Sequence, residues 1–186
     1  MREASDLGSA FHRVMYRIAT EDLVARLRNS AKPSAGALPR YLQALVDQTA
    51  LEYGLADAAE LSELARQSLF GALAPEFQRA RRIFREVPFL LDLPQEFATA
   101  DKKSPLLYEG VIDLILERSD GTLLIVDYKT DHLRASEVPE RMKQYGQQGR
   151  IYRAAVERAS SLPVGDVWFY FVRLGVISSG RMANDE

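Results

Sequence analysis

The sequence of 186 residues contains no cysteine. Disulfides, cysteine-bound zinc and iron–sulfur clusters are therefore excluded, and any bound metal must be held by oxygen and imidazole ligands. This ligand chemistry favours Mg²⁺ or Mn²⁺. The chain also lacks an excess of charge of either sign, since 24 basic residues nearly balance 26 acidic ones. A nucleic-acid partner would therefore have to meet a local basic patch rather than a basic molecule.

Long apolar runs are missing as well. No stretch approaches the roughly 20 residues of a membrane span, and the N-terminus lacks the apolar core of a signal peptide. These two absences predict a cytoplasmic protein with no membrane partner. The composition, 47% hydrophobic and 27% charged, is that of an ordinary globular protein, and the length suits a single domain over residues 1–186.

The first 83 residues are predicted to form a helical portion. Four helices are expected there, over about Ser5–Arg28, Pro39–Tyr53, Asp57–Leu73 and Pro75–Phe84. Pro39 suits the first position of its helix, and Gly54 suits the end of the same helix. Asp57 and Glu60 have the spacing of a capping box.

Residues 84–175 are predicted to form an α/β catalytic core. Runs of branched apolar residues separated by turn residues predict strands, and a long amphipathic stretch predicts a helix. The expected elements are strands Phe84–Leu93, Leu106–Glu117 and Thr122–Lys129, a helix Pro139–Ala159 and a strand Val167–Arg173. Their order, β-β-β-α-β after the helical portion, indicates an α/β fold with a mixed sheet.

Two aspartates interrupt apolar strands. Asp113 is the one charge within VIDLIL, and Asp127 and Lys129 end the run LLIVDYK. A carboxylate beside a core costs several kcal/mol unless it is paired or bound to a cation. If Ser119–Gly121 form a three-residue turn, Asp113 lies directly opposite Asp127, whereas a two-residue Asp-Gly turn makes them diagonal neighbours. In either register a divalent cation would remove their repulsion.

The end of the third strand gathers further polar groups. Strand alternation places Lys129 on the same face as Asp127, while Tyr128 points away and can offer its backbone carbonyl. Such a set suits phosphodiester hydrolysis, in which a metal polarises the phosphate and a side-chain cation lies near the attacking water. The plainer alternative is a buried ion pair between Asp127 and Lys129 that holds the sheet together.

These residues and their order resemble the C-terminal nuclease domain of RecB/AddA-type bacterial UvrD-like helicase–nucleases, within the PD-(D/E)XK superfamily. The resemblance runs from Gly8 to Ala155 and is carried by LGSAFHRV, REVPF, GVIDLI, IVDYKTD and YGQQGRIYRAAVE. It implies a restriction-endonuclease-like core. One departure is Gly149, where the family usually has an apolar residue.

The resemblance also implies a role for each matching residue. The implied metal ligands are His12, Asp113, Asp127 and the carbonyl of Tyr128. The implied catalytic residues are Asp113, Asp127, Lys129 and Glu86. Residues implied to support the site and contact DNA are Gln148, Tyr152 and Tyr145. The implied cofactor is Mg²⁺ or Mn²⁺.

Some assignments have open alternatives. Glu86 could be no more than the exposed charge that opens a strand, and Glu96 or Glu109 could replace it if the strand register slips. His132 matches no motif and is expected to face solvent. A dense basic segment is either a solvated face or a phosphate contact, and it comprises Arg79, Arg81, Arg82 and Arg85.

The function that the resemblance implies is a metal-dependent exodeoxyribonuclease that acts on single-stranded DNA ends during double-strand-break repair and recombination. The chain has no G-x-x-x-x-G-K-S/T motif, so the helicase is expected elsewhere, in the same polypeptide or in a partner subunit of the helicase–nuclease type. A stand-alone exonuclease or a restriction-like endonuclease would share this fold and metal site. The non-enzymatic alternative is an inactive module that binds DNA or braces a complex.

Overall fold

The structure is a computed structural model that describes residues 2–18, 38–93 and 106–179. In these ranges the helices are α1 (Arg2–Arg17), α2 (Arg40–Glu52), α3 (Ala59–Phe70), α4 (Ala74–Arg79) and α5 (Val138–Ala159). The strands are β1 (Arg82–Leu93), β2 (Leu106–Glu117), β3 (Leu123–Lys129), β4 (Val164–Phe171) and β5 (Val176–Ser179). The expected α/β class, with helices ahead of a β-β-β-α-β core, is confirmed.

The strands form one mixed sheet in the order β1-β2-β3-β4-β5. β3 and β4 run parallel, because α5 carries the chain back between them, and the other neighbours run antiparallel. Strand β5 was not expected from the sequence, and β4 ends at Phe171 rather than at Arg173. The reason is a tight turn over Val172–Leu174, after which Gly175 adopts a φ of 65° and reverses the chain.

The β2–β3 hairpin has the register of a three-residue turn. Glu117 pairs with Leu123 and Leu114 with Val126, which places Asp113 and Asp127 at the next facing position. The Asp120 side chain accepts a hydrogen bond of 2.9 Å from the backbone N–H of Thr122. Gly121 supplies the positive φ of 83° that the turn needs. Of the two registers considered, the direct one is therefore correct.

Two helices end earlier than expected, because hydrogen bonds to residues remote in sequence replace the next helical turn. α1 ends at Arg17, where the Arg85 guanidinium donates hydrogen bonds to the carbonyls of Met15 and Ile18; residues 19–28 lie outside the described residues. α4 ends at Arg79 and not near Phe84, since the backbone N–H of the second residue beyond it already donates to the carbonyl of Glu117 in β2.

The expected capping box at the start of α3 is wrong in detail. Asp57 accepts a hydrogen bond of 2.8 Å from the backbone N–H of Ala59, two residues on. Glu60 turns away and binds the Arg173 guanidinium instead. The helix consequently starts at Ala59, and it ends at Phe70 rather than at Leu73.

Both faces of the sheet are covered. The helical portion packs on one face through a core that includes Phe11, Leu61 and Tyr128. Helix α5 covers the other face, where Val156 and Phe169 belong to a second core. No helix in the described ranges has the length and apolar character needed to cross a membrane.

Candidate active site

The β1–β2 ladder is interrupted where the site lies. Arg85 pairs with Leu114 and Val87 pairs with Ile112, and Glu86 lies between them with a φ of 49°. In the described ranges Glu86 is the one residue other than glycine with a positive φ. This left-handed conformation costs a residue with a side chain about 1–2 kcal/mol, and such strain is common at functional sites.

The interruption turns Asp113 towards the helical portion. Leu114 packs in the core beneath the helices, and Ile112 packs in the core beneath α5, so the side chains on either side of Asp113 face opposite layers. Regular alternation would have placed them on one face. The local break therefore lets Asp113 reach α1 although its neighbour across the hairpin, Asp127, points to α5.

Three side chains from separate elements meet at this break. His12 of α1, Glu86 of β1 and Asp113 of β2, the cation trio, each offer a ligand atom within 4.8 Å of the other two. His12 Nδ1 lies 3.0 Å from Asp113 Oδ1 and 3.9 Å from Glu86 Oε1. The backbone N–H of Tyr128 donates a 2.7 Å hydrogen bond to Asp113 Oδ2. The side chains of His12 and Glu86 are each 32% exposed, so solvent reaches the trio.

The electrostatics of the cation trio suit a cation. Burial opposes protonation of His12, but hydrogen bonds to Asp113 and Glu86 and the charges of these carboxylates outweigh it and raise the pKa of His12 to about 10. The imidazolium thus supplies the positive charge that the two carboxylates need. An imidazole nitrogen and two carboxylates are also ligands that a divalent metal accepts, so the residues fit a metal that replaces this proton.

A second group of side chains, the lysine network, joins the end of β3 to α5. Asp127 Oδ2 lies 2.7 Å from Lys129 Nζ, and Lys129 Nζ donates to Gln148 Oε1 at 3.1 Å. Asp127 Oδ1 accepts hydrogen bonds from Gln148 Nε2 at 3.1 Å and from the Tyr152 hydroxyl at 3.0 Å. The lysine network therefore consists of Asp127, Lys129, Gln148 and Tyr152.

Asp127 is the buried anion of the lysine network. Burial raises its pKa, the neighbouring charge of Asp113 raises it further, and Lys129 opposes both effects. Burial and the charge of Asp127 raise the pKa of Tyr152 well above its ordinary value, so its hydroxyl keeps the proton that it donates. Asp127 Oδ2 lies 2.7 Å from the Lys129 ammonium group, so both oxygens of this buried carboxylate have a partner.

Tyr145 lies beside the lysine network and helps to orient the amine of Lys129. The Tyr145 ring stacks on Phe169 with centroids 5.3 Å apart, and Lys129 Nζ lies 4.1 Å from the Tyr145 centroid. The Tyr145 hydroxyl donates a 2.9 Å hydrogen bond to Asp131. The ammonium group of Lys129 is thus held between the ring of Tyr145 and the carboxylate of Asp127.

The structure sorts the residues predicted from the sequence into two groups. The cation trio unites His12, Asp113 and Glu86, whereas Asp127 belongs to the lysine network with the residues expected to support the site. Tyr128 contacts Asp113 through its N–H, and the ligand role expected for its carbonyl stays a prediction, as does that of Asp127.

The residues with open alternatives fall outside both groups. Glu109 is exposed on β2, where it pairs with Leu90, so no register slip brings it to the site. His132 is exposed, as expected. Glu96 lies outside the described residues.

The basic segment divides into two kinds of residue. Arg81 and Arg82 are exposed and lie 3.9 and 3.6 Å from the carboxylate of Glu117. Arg85 instead points inward and fixes the end of the helix that carries His12. This positioning role was not foreseen, because an arginine within a basic run gives no sequence signal that it faces a helix end.

A mixed sheet flanked by helices, with acidic residues and a lysine at its centre, is the architecture of a class of metal-dependent nucleases, and the sequence comparisons identify the same class. The chain matches the PD-(D/E)XK nuclease superfamily over residues 1–183, and it belongs to that superfamily.

Its relatives include several very long bacterial proteins, each named as one of the subunits of an ATP-dependent helicase/nuclease. The chain is 30% identical to that of Bacillus velezensis over 179 residues, which cover 90% of the chain and 14% of the relative. It is 30% identical to that of Carboxydothermus hydrogenoformans over 167 residues, or 86% of the chain and 14% of the relative. For Staphylococcus epidermidis the identity is 25% over 184 residues, with 95% and 14% covered. The chain thus spans about 14% of the length of these relatives.

Proposed function

We propose that the chain is a metal-dependent deoxyribonuclease domain that hydrolyses phosphodiester bonds. The observation that carries the proposal is the position of the cation trio next to the lysine network. Asp113 of the trio and Asp127 of the network occupy facing positions of one hairpin. A cation site alone occurs in many proteins, and so does a buried ion pair. A site for a divalent metal within reach of a fixed ammonium group suits the charge that develops on a phosphate during hydrolysis.

The cation trio would hold Mg²⁺ or Mn²⁺, and Asp127 and the Tyr128 carbonyl are the further ligands predicted from the sequence. When bound, such a metal polarises the phosphate and lowers the pKa of a water molecule. Asp113 is already oriented, because the Tyr128 N–H fixes one of its oxygens and leaves the other towards His12. Asp113 therefore needs little rearrangement to bind a cation.

Lys129 would stabilise the negative charge of the attacked phosphate. Its ammonium group lies 2.7 Å from Asp127 and 3.1 Å from Gln148, so its position is fixed before DNA arrives. A preorganised cation costs no reorganisation during the reaction. Tyr152 and Gln148 would act through Asp127, by holding its carboxylate in place.

We further propose that residues 1–186 act as a single nuclease domain. The helical portion supplies His12, whereas β1 and β2 of the α/β core supply Glu86 and Asp113. Neither part alone contains the cation trio. A fragment that begins at residue 84 is accordingly expected to lose metal binding even if its sheet forms.

The test is degradation of end-labelled single-stranded DNA by the purified chain in Mg²⁺ or Mn²⁺, with EDTA and Asp113→Asn as controls. Cleavage is expected in either metal and should vanish with EDTA and in Asp113→Asn. Asp92→Asn, an exposed carboxylate on β1, is the matched variant that should keep full activity. DNA binding without cleavage in both metals would refute an enzyme and leave an inactive nuclease-like module that binds DNA.

The setting of this domain follows from its relatives. Because they are named as parts of helicase/nucleases and are far longer than this chain, we propose that the domain is attached to an ATP-dependent helicase and degrades the single-stranded ends that the helicase produces during DNA repair. Duplex DNA should then be degraded only with ATP and the helicase present. Equal duplex degradation by the isolated chain without ATP would favour a stand-alone nuclease.

A further inference from the structure

An open cavity lies beside His12 of helix α1. It encloses about 680 Å³, within the roughly 300–1,000 Å³ typical of ligand sites. His12 and Glu86 form part of its lining, so a molecule in it lies next to the cation trio. Its other lining residues are Gly8, Ser9, Arg13, Tyr16, Tyr53 and Thr130. We call it the α1 cavity.

Helix α1 presents an aromatic ring and a positive charge to the α1 cavity. His12 and Tyr16 are four residues apart and share a face of the helix, while Phe11 and Val14 are buried in the core. Tyr16 is 47% exposed, so its ring is accessible from the α1 cavity that it lines. The guanidinium carbon of Arg13 lies 5.7 Å from the centroid of the Tyr16 ring.

The opposite wall is fixed by an ion pair between helices. Arg17 Nη1 lies 2.7 Å from Glu52 Oε2, which ties α1 to the end of α2, where Tyr53 lines the cavity. The charge of Arg17 is thereby neutralised. Arg13, one turn earlier, forms no close ion pair within the part of the chain that the structure describes. The pKa of Glu52 is lowered first by its hydrogen bond with Arg17 and also by the more distant charge of Arg13, which can still meet an anion.

The close approach of α1 to the end of β3 is helped by a glycine. A Cβ atom at Gly8 would lie 2.9 Å from Thr130 Oγ1, so a side chain there would force Thr130 to shift. Gly8 and Thr130 both line the α1 cavity, as do His12 and Tyr16.

We propose that the α1 cavity binds one unpaired nucleotide of a DNA strand, with its base stacked on Tyr16 and a phosphate held by Arg13. Base stacking on an aromatic residue and a phosphate contact by arginine are the usual elements of single-strand binding. The inference rests on the proposed nuclease function and names residues that would hold its single-stranded substrate. A base inside a duplex is covered on both faces by its neighbours, so only a single strand can use Tyr16.

Binding can be measured apart from cleavage. A fluorescein-labelled oligothymidine is titrated with the full chain in EDTA, and its anisotropy is recorded. Tyr16→Ala should weaken binding at least about fivefold, whereas Tyr16→Phe, which keeps the ring, should bind like the unmodified protein. Tyr41→Ala is the matched control, because Tyr41 is 38% exposed on α2 and does not line the α1 cavity.

Two further binding experiments test whether Arg13 contacts a phosphate and whether Tyr16 contacts a base. Arg13→Ala should weaken binding and lower the slope of log affinity against log salt by about 0.7, the value for one phosphate contact on a single strand. A strand whose bases are all replaced by abasic sites should bind the unmodified protein and Tyr16→Ala equally, since it offers nothing to stack. Blunt duplex DNA should likewise show no effect of Tyr16→Ala.

The inference and the proposed function fail in different ways. If Tyr16→Ala binds the oligothymidine as tightly as the unmodified protein, or weakens abasic and normal strands equally, the nucleotide site is overturned while metal-dependent cleavage can still stand. If binding depends on Tyr16 but no cleavage occurs in Mg²⁺ or Mn²⁺, the nucleotide site stands and the nuclease function falls. Variants that lose their thermal transition are set aside in favour of the Tyr16→Phe and abasic comparisons, which need no destabilising substitution.

Discussion

The amine of Lys129 has three side-chain contacts. It meets the Asp127 carboxylate, the Gln148 amide and the Tyr145 ring, all within 4.1 Å. The three contacts fix the direction of the amine. A fixed ammonium group suits the proposed role of Lys129 at a phosphate.

Lys129→Met should lower the rate of DNA cleavage about 100-fold or more, because a preorganised charge at a reacting phosphate is usually worth that much. DNA binding should change little. The measurement is the single-turnover rate on end-labelled single strands in saturating Mg²⁺. Lys143→Met, an exposed lysine on α5 paired with Glu140, is the control and should cleave normally. A rate within threefold of the control would remove Lys129 from the mechanism.

Glu86 combines a left-handed backbone conformation with a carboxylate that belongs to the cation trio. Glycine at an ordinary strand position costs about 0.5–1 kcal/mol, but at a φ of 49° it also relieves the penalty of a left-handed residue with a side chain. Glu86→Gly should therefore unfold in urea with a free energy no lower than that of the unmodified protein, while its metal affinity falls. Glu109→Gly, on the neighbouring strand, should lose about 0.5–1 kcal/mol. Equal losses in both variants would show that no strain is present.

The direction of Asp113 could not be predicted from the sequence. Asp113, Asp127 and Lys129 stand out because charges within apolar strands must be compensated. Regular strand alternation would point Asp113 and Asp127 to the same face, whereas Asp113 contacts His12 and Asp127 contacts Tyr152 of α5. The cause is the positive φ at Glu86, for which a glutamate gives no sequence signal. A metal shared by the two aspartates stays a prediction.

At the scale of elements, α5 tolerates an unusual glycine. Gly149 is buried in the middle of the helix, and a Cβ atom there would lie 3.4 Å from the Phe169 ring and 3.6 Å from Val167, which are ordinary contact distances. The helix thus packs without strain but lacks a methyl group that it could accommodate. The family usually has an apolar residue here, and the space for one remains.

Gly149→Ala should raise the free energy of unfolding by about 0.5–1 kcal/mol, the helix-interior difference between glycine and alanine. Gly110→Ala should act in the opposite direction, because its Cβ atom would lie 2.8 Å from the Phe89 ring and force repacking that costs about 1–3 kcal/mol. Urea unfolding of both variants provides the measurement. A loss of stability in Gly149→Ala would mean that α5 lies closer to β4 than described.

The elements of the α/β core were predictable because hydrophobic period and turn chemistry agree. Ser119–Gly121 indicated the hairpin, and apolar alternation indicated its strands. The ends of α1 and α4 were not predictable, since contacts remote in sequence, through Arg85 and Glu117, decide them. Strand β5 could not be predicted, because its four residues carry too little periodicity to distinguish a strand from an irregular segment.

At the scale of the whole molecule, a metal at the cation trio should stabilise the fold. A ligand at 100 times its dissociation constant adds about 2.7 kcal/mol, which corresponds to roughly 5–10 °C in a domain of this size. Mn²⁺ should therefore raise the melting temperature by that amount in the unmodified protein and in Asp92→Asn. Asp113→Asn should melt at an unchanged temperature with or without Mn²⁺. A shift that persists in Asp113→Asn would place the metal elsewhere.

The origin of the cation trio from three separate elements bears on how the protein is made. His12 leaves the ribosome before Glu86, and Asp113 follows with the second strand of the sheet. A chain synthesised only as far as β1 thus holds isolated ligands and no complete cation trio. Protection of nearby DNA during translation needs no inhibitor, because the proposed activity cannot exist before the hairpin has closed.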